Sequence, residues 1–200
     1  TGEGGAALTN SPDFYEKLLR LRTHGITRDA SQLQNNHGSW YYEQLELGYN
    51  YRMTDMQAAL GCSQLNKLSE FIKKRHVIFN HYASLLKDLP LQLPKHNDDS
   101  YSALHLYPIL VNDKEKHKLF FEHMRNNHIG VNLHYIPVYK QPYYQQQGFS
   151  YDYCPNAEYY YERAVSLPMY PLLKQAQLAQ VKCVIEDFYE ISVGDSTVRA

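Results

Sequence analysis

The feature that most constrains the fold is the stretch of residues 40–65, in which an aromatic, glycine-containing segment runs directly into a helix start. Its first part, residues 40–53 (WYYEQLELGYNYRM), has neither the 3.6-residue period of a helix nor the alternation of a strand. Thr54 then stands where an N-cap is expected, and Gln57 follows three residues later, as a capping box requires. The sequence therefore predicts an ordered loop that leads into a helix.

Two side chains on this loop are suited to binding an anion. Asn50 offers an amide and Arg52 a guanidinium, and both groups can donate hydrogen bonds to a phosphate or accommodate a sugar hydroxyl. A surface loop with buried tyrosine rings would explain the same residues without any ligand. The stretch by itself leaves both interpretations open.

The longer run WYYEQLELGYNYRMTDMQAALG, residues 40–61, resembles the DegT/StrS-type pyridoxal-phosphate-dependent sugar-nucleotide aminotransferases, and most of all those that act in pseudaminic acid synthesis. The resemblance extends to about residue 190. It implies an α/β fold class, namely the C-terminal part of a fold-type I aminotransferase. We expect residues 1–75 to be a remnant of the large cofactor-binding domain plus the first part of a long linking helix, and residues 76–200 to form a small α+β domain.

The first five residues, TGEGG, resemble the segment that follows the active-site lysine of this family. In the family that lysine forms the Schiff base with pyridoxal 5′-phosphate. The resemblance implies that the lysine precedes Thr1, so we expect the chain to be the C-terminal half of an aminotransferase, with no catalytic residue of its own. We also expect it to be inactive alone.

The resemblance also implies the binding residues. Asn50 and Arg52 are the expected cofactor-binding residues: Asn50 would reach the cofactor phosphate of the neighbouring subunit in a homodimer, and Arg52 would support the same anionic region or the substrate. The HYIP sequence at residues 134–137 matches a motif that lines the substrate cleft. The residues expected to contact the UDP-sugar are Asn132, Leu133, His134 and Tyr135. For His134, a hydrogen-bonded histidine at a strand end is the alternative. The implied reaction converts a UDP-4-keto-6-deoxy-N-acetylhexosamine to its 4-amino sugar, with glutamate as amino donor.

Elsewhere, periodicity and turn residues predict the elements in order. We expect a short strand at 6–9, a helix from Ser11 to about 24 with an apolar stripe of Phe14, Leu18 and Leu21, and a loop over 26–39. Further along we expect a long helix over 65–89 ended by Pro90, a linker over 91–102, a strand over 103–111 with Pro108 at an edge or bulge, and a helix over 113–127 with Leu119 inward. The remaining predictions are a strand over 131–135, a tyrosine-rich loop to 155, helices over 155–165 and 174–190, and a frayed tail from Ile191.

Composition argues against several classes of protein. A formal net charge of −1 and a pI of about 6.8 give no basis for nucleic-acid or membrane binding. No apolar run approaches the length of a membrane span, and no signal peptide is visible. The distant Cys62, Cys154 and Cys183 suit a reducing compartment, so we expect a cytoplasmic protein. Neither the cysteines nor the ten histidines have the spacing of a metal site.

Two alternatives stay open at this point. The chain could be a non-catalytic fragment that dimerises or binds a sugar nucleotide. It could also derive from a sugar dehydratase of the same family, in which histidine replaces the lysine. The residue that precedes Thr1 in the intact gene would separate the dehydratase from the aminotransferase.

Overall fold

The computed structural model describes residues 1–97 and 99–197, with side chains up to Glu190. The chain divides into two compact units, Thr1–Leu68 (unit 1) and Ser69–Ala200 (unit 2), and each is described by itself. The division of the chain into domains of 1–75 and 76–200 stays a prediction. Within the described residues, no helix is long and apolar enough to span a bilayer.

Unit 1 consists of two helices and a small antiparallel sheet. Its elements are α1 (Pro12–Leu21), β1 (Ile26–Thr27), β2 (Glu43–Gln44) and α2 (Asp55–Leu65). The predicted cap of α1 is confirmed, since the Ser11 side chain accepts a hydrogen bond from the Phe14 amide. The capping box of Thr54 and Gln57 at α2 is also confirmed.

Two predictions in unit 1 are wrong. Residues 6–9 form no strand, and Leu8 is 92% exposed, so no neighbouring strand is available to complete their hydrogen bonds. The region 26–39 is not loop throughout, because Ile26 pairs with Gln44 in the sheet of β1 and β2. A two-residue strand has too few positions to show a period in the sequence.

Unit 1 buries little apolar surface. Neither α1 nor α2 has a buried residue, and Phe14 of the predicted apolar stripe is 63% exposed. Among the described residues, every buried large apolar side chain lies in unit 2. Unit 1 is therefore held mainly by backbone hydrogen bonds and by close backbone packing.

Unit 2 is an α+β unit around a three-stranded antiparallel sheet with the order β3–β4–β5. Its elements are α3 (Leu68–Leu86), β3 (Leu91–Gln92), β4 (Tyr107–Val111), α4 (His117–Asn126), α5 (Pro142–Gln146), α6 (Pro155–Tyr161), β5 (Ala164–Leu167) and α7 (Gln175–Thr197). Short 3₁₀ turns, Lys114–Lys116 and Val138–Lys140, precede α4 and α5. Side chains from α3, α4, α7 and the sheet form one core, which includes Tyr82, Ile109, Phe120, Val165 and Ile185. Of the predicted inward residues of the last helix, Leu178, Val181, Val184, Ile185 and Phe188 are all buried.

The helix predictions for unit 2 need three corrections. The helix predicted over 65–89 is shorter and runs as α3 from Leu68 to Leu86, because α2 ends before it at the C-cap Asn66, a residue that favours caps over helix interiors. Leu119 is 59% exposed and does not face the core. α7 extends to Thr197, so the predicted tail is wrong up to that residue, and residues 198–200 lie outside the described part, as does Asp98 of the linker.

The strand predictions are right only in part. β4 is the middle strand, but β3 pairs only with Leu110 and Val111, so Pro108 has a strand neighbour on one side. The missing N–H of proline is tolerated at such a position. The predicted strand over 131–135 is reduced to one bridge between Asn132 and Ser166, and the helix predicted over 155–165 ends at Tyr161, followed by β5.

Candidate functional site

The predicted cofactor residues contact each other in unit 1. Arg52 Nε donates a hydrogen bond of 2.8 Å to Asn50 Oδ1, and both side chains are exposed. Among the ion pairs of the described residues, none involves Arg52. The contact leaves the Asn50 Nδ2 and the terminal guanidinium nitrogens available as donors. This donor set fits a phosphate, which accepts charge-assisted hydrogen bonds from both groups.

Backbone hydrogen bonds fix the loop that carries this pair. Three bonds of 2.9 Å join the loop to the end of α1, namely Tyr49 N to Leu21 O, His24 N to Tyr49 O, and Tyr51 N to Arg22 O. Asn50 itself forms an antiparallel bridge with Thr23. Since the loop is held on both sides of Asn50, the amide is kept in place before any ligand arrives.

The carboxylate of Glu43 orders the neighbouring segment. It accepts hydrogen bonds from the backbone N–H groups of Gln34 and Asn35 at 2.7 and 3.0 Å, and from the hydroxyl of Tyr41 at 2.9 Å. The hydrogen bond from Gln34 N–H is the main cause that holds the pKa of Glu43 below its usual value, and the Tyr41 and Asn35 hydrogen bonds act in the same direction. The pKa of Tyr41 is raised, chiefly by its hydrogen bond to that carboxylate.

The predicted substrate residues lie in unit 2, where His134 is the centre of a polar network. His134 Nδ1 lies 2.9 Å from Ser166 Oγ, and Asn132 Nδ2 lies 3.4 Å from His134 Nε2. Ser166 is buried on β5, and its backbone N–H donates to Asn132 O at 2.8 Å. Ser166 on β5 therefore holds both the backbone of Asn132 and the ring of His134.

The network determines the tautomer of neutral His134. The Leu133 backbone N–H donates to Asn132 Oδ1 at 2.8 Å, which identifies that atom as the oxygen and places the amide nitrogen towards the imidazole. Because Nδ2 can only donate, His134 Nε2 is the acceptor, and Nδ1 carries the proton towards Ser166 Oγ.

The remaining two predicted substrate residues differ in exposure. Tyr135 is 74% exposed, with its ring edge-to-face against the His134 ring at 4.9 Å, and Leu133 is half-buried. The four residues thus lie together, while Asn50 and Arg52 lie in the other unit. Ser166 was not predicted as a site residue, because it lies 32 residues from His134 in the sequence and only the fold brings the two side chains together.

Other kinds of site find no support in the described residues. No group of three or more His, Cys, Asp or Glu side chains there could hold a metal ion. Cys62, Cys154 and Cys183 are free and exposed.

Comparison with known proteins gives the class to which this fold and these residues belong. The solved structure of PseC from Helicobacter pylori, an aminotransferase of pseudaminic acid biosynthesis, superposes with a TM-score of 0.80 at 29% identity over 91% of this chain and 47% of that chain. The UDP-4-amino-4,6-dideoxy-N-acetyl-β-L-altrosamine transaminase of Campylobacter jejuni is 32% identical over 96% of this chain and 48% of its own length. An uncharacterized protein of Methanocaldococcus jannaschii is 40% identical over 90% of this chain and 48% of its own length. The fold is that of the C-terminal part of a fold-type I pyridoxal-phosphate-dependent aminotransferase.

Within that class, residues 1–186 match the DegT/DnrJ/EryC1/StrS aminotransferase family, and the chain belongs to it. Aminotransferases of this family depend on pyridoxal phosphate, and similar solved structures include forms with pyridoxal and pyridoxamine phosphate. The chain spans about half the length of the relatives that it matches.

Proposed function

We propose that this chain supplies the C-terminal part of a sugar-nucleotide aminotransferase that acts as a homodimer in the cytoplasm. The enzyme would convert a UDP-4-keto-6-deoxy-N-acetylhexosamine to its 4-amino sugar, as in pseudaminic acid biosynthesis, with glutamate as amino donor. The observation that carries the proposal is the 32% identity to the altrosamine transaminase over 96% of the chain. The exposed Asn50–Arg52 donor pair and the His134 network support it.

The chain's own residues would bind and orient. Asn50 Nδ2 would donate a hydrogen bond to the cofactor phosphate of the neighbouring subunit, and Arg52 would support the same anionic region or the substrate. The segment of residues 132–135, with His134 at its centre, would contact the sugar nucleotide. Bound pyridoxal phosphate supplies the electron sink that makes exchange of the amino group possible.

The proposed reaction can be tested directly with the protein expressed from the intact gene (the gene product). We expect it to form a 4-amino sugar and 2-oxoglutarate from the UDP-4-keto sugar, glutamate and pyridoxal phosphate, detected by mass spectrometry. Loss of water from the sugar without amination would favour the dehydratase instead. The 200-residue chain alone is expected to give no turnover, as the non-catalytic alternative also predicts.

Replacing Asn50 with Ala is expected to weaken binding of pyridoxal phosphate by about tenfold to a hundredfold. The amide would lose a charge-assisted hydrogen bond to the phosphate, worth roughly 1.5–3 kcal/mol. Equilibrium dialysis of the gene product against the cofactor measures this affinity.

Two further variants sharpen the Asn50 experiment. Asn50→Asp keeps an acceptor for Arg52 Nε but places a carboxylate beside the phosphate, so its affinity should fall below that of the Ala variant. Asn10→Ala changes an exposed amide in the same unit and should leave cofactor affinity unchanged. If all three variants bound pyridoxal phosphate with the same affinity, Asn50 would not be part of the cofactor site.

Replacing Ser166 with Ala is expected to lower the affinity for the UDP-sugar about fivefold or more, with cofactor affinity unchanged. Without the Ser166 hydroxyl, the N–H of His134 Nδ1 has no hydrogen-bond partner at this position. An unpaired, half-buried donor costs roughly 1–3 kcal/mol unless the ring turns away from it. Isothermal titration calorimetry with the UDP-sugar measures the change.

The control for this substitution is Ser150→Ala, which removes an exposed hydroxyl from the same unit. It should bind the UDP-sugar like the wild-type protein. If Ser166→Ala also bound like the wild type, the His134 network would have no part in substrate binding.

A further inference from the structure

The first residue of the chain is tied to the start of α2 by a side chain that makes two kinds of contact. Gln57 Oε1 accepts hydrogen bonds from Thr54 N and Thr54 Oγ1, each at 3.0 Å. Gln57 Nε2 donates to Thr1 O at 3.3 Å, across 56 residues of sequence. Because Thr54 N can only donate and Thr1 O can only accept, both contacts require the same orientation of the Gln57 amide. Gln57 therefore caps α2 with its oxygen and holds Thr1 with its nitrogen.

Close packing keeps the same segment against α2 and against the loop before it. A Cβ atom at Gly61, in the second turn of α2, would lie 3.1 Å from Thr1 Cγ2. A Cβ atom at Gly4 would lie 3.1 Å from Met53 Cε, at the end of the loop that carries Asn50. Both distances are shorter than the 3.4–4 Å of an ordinary contact, so the two glycines permit the approach. The first residues of the chain thus contact both the helix and the end of the loop.

We infer that Gln57 is a positioning residue of the cofactor site, which holds the chain start, the first turn of α2 and the loop of Asn50 and Arg52 together. A loop that is held in place before the cofactor arrives loses less conformational freedom on binding, so its donors bind more tightly. The inference rests on the proposed function, which assigns Asn50 to the cofactor phosphate. It adds Gln57, which would act through the position of the loop without contacting the cofactor.

The contact has a second consequence if the lysine of the family precedes Thr1, as the resemblance implies. Gln57 would then restrain the segment that follows the lysine as well as the loop of Asn50. The lysine serves the cofactor of its own subunit, whereas Asn50 would reach the cofactor of the neighbouring subunit. One side chain would therefore position elements of both cofactor sites of the homodimer.

Gln57→Glu separates the two contacts in the gene product. Glutamate at this position keeps the acceptor of the capping box, and its charge suits the first turn of a helix, so the midpoint of thermal unfolding should not fall. The carboxylate cannot donate to Thr1 O, so this contact is lost. We expect the affinity for pyridoxal phosphate to fall about threefold to tenfold in equilibrium dialysis. Hydrogen–deuterium exchange of residues 1–10 should become faster.

Gly61→Ala tests the same inference without changing Gln57. Alanine is favoured over glycine inside a helix, so the unfolding midpoint should again not fall. The added methyl group would displace Thr1, and we expect cofactor affinity and exchange of residues 1–10 to change in the same direction as in Gln57→Glu. A merely structural role would instead make any loss of affinity follow a loss of stability.

Gln64→Glu is the matched control, because it makes the same change at an exposed position of the same helix. It should bind pyridoxal phosphate like the wild-type protein. If Gln57→Glu bound the cofactor as tightly as Gln64→Glu, the inference would be wrong, even with faster exchange of residues 1–10. Amination of the UDP-sugar with a cofactor affinity insensitive to Gln57 would overturn this inference alone. A cofactor affinity that depends on Gln57 in a gene product unable to aminate the UDP-sugar would overturn the proposed function alone.

Discussion

Replacing Gly25 with Ala is expected to destabilise unit 1 by more than about 3 kcal/mol and to abolish cofactor binding through Asn50. Gly25 has φ +70°, a left-handed conformation that costs other residues roughly 1–2 kcal/mol. A Cβ atom there would lie 1.9 Å from Glu46 O and 2.7 Å from its carbonyl carbon. Because both atoms are backbone, no rotamer change relieves the clash, and overpacking adds typically 1–3 kcal/mol.

The position of Gly25 explains why the damage should reach the site. Its N–H donates to Arg20 O and its carbonyl accepts from Leu45 N, each at 2.9 Å, so the residue joins the end of α1 to the segment that leads to Asn50. Unit 1 has no apolar core to compensate for the loss of these bonds. The Asn50 loop should therefore open together with the turn.

Hydrogen–deuterium exchange of peptides from residues 20–52 measures this local opening in the gene product. Gly25→Ala should exchange much faster there, with peptides of unit 2 unaffected. Gly5→Ala is the control, because a Cβ at Gly5 meets nothing within 4 Å. Protection in Gly25→Ala equal to that in the control would show that the turn can adapt and that the close packing is not essential.

Helix starts were predictable from sequence because their signals are local. Ser11 before Pro12, and Thr54 with Gln57, place the cap and its partner within three residues of each other, and both caps are present. Asn50 and Arg52 are likewise two residues apart, and their contact follows from that spacing in an ordered loop. Features of this kind need no knowledge of the rest of the fold.

Features that depend on distant pairing could not be predicted in the same way. The helix that the sequence predicts over 155–165 includes the first two residues of β5. The strand character of β5 comes from pairing with β4, more than fifty residues earlier in the chain, and no local pattern shows it. Ser166 acts on His134 from 32 residues away, so neither residue alone indicates the contact. The cavity of unit 1 that is lined by Glu16, Arg28 and Tyr42 is likewise formed by segments that are distant in sequence.

Replacing Glu158 with Ala is expected to destabilise unit 2 by about 3 kcal/mol. Lys140 Nζ pairs with Glu158 Oε2, and only 16% and 14% of the two side chains are exposed. Tyr139 Oη also donates to Glu158 Oε1 at 2.6 Å, and the Lys140 ammonium lies over the rings of Tyr151 and Tyr161. Removal of one partner of such a pair leaves a largely buried charge uncompensated, which is far costlier than removing both.

A double substitution that removes both charges separates this effect from general damage to the segment. Lys140→Met combined with Glu158→Gln removes both charges, keeps an acceptor for Tyr139, and should recover more than half of the lost stability. Glu122→Ala breaks the exposed pair of Lys118 and Glu122, 3.9 Å apart, and should cost less than about 0.5 kcal/mol.

Hydrogen exchange of residues 136–161 at increasing urea concentration measures the free energy of opening for each variant. Since this segment directly follows His134 and Tyr135, Glu158→Ala should also weaken UDP-sugar binding, and the double variant should restore it. A double variant as unstable as Glu158→Ala would show that the aromatic packing, rather than the ion pair, holds the segment in place.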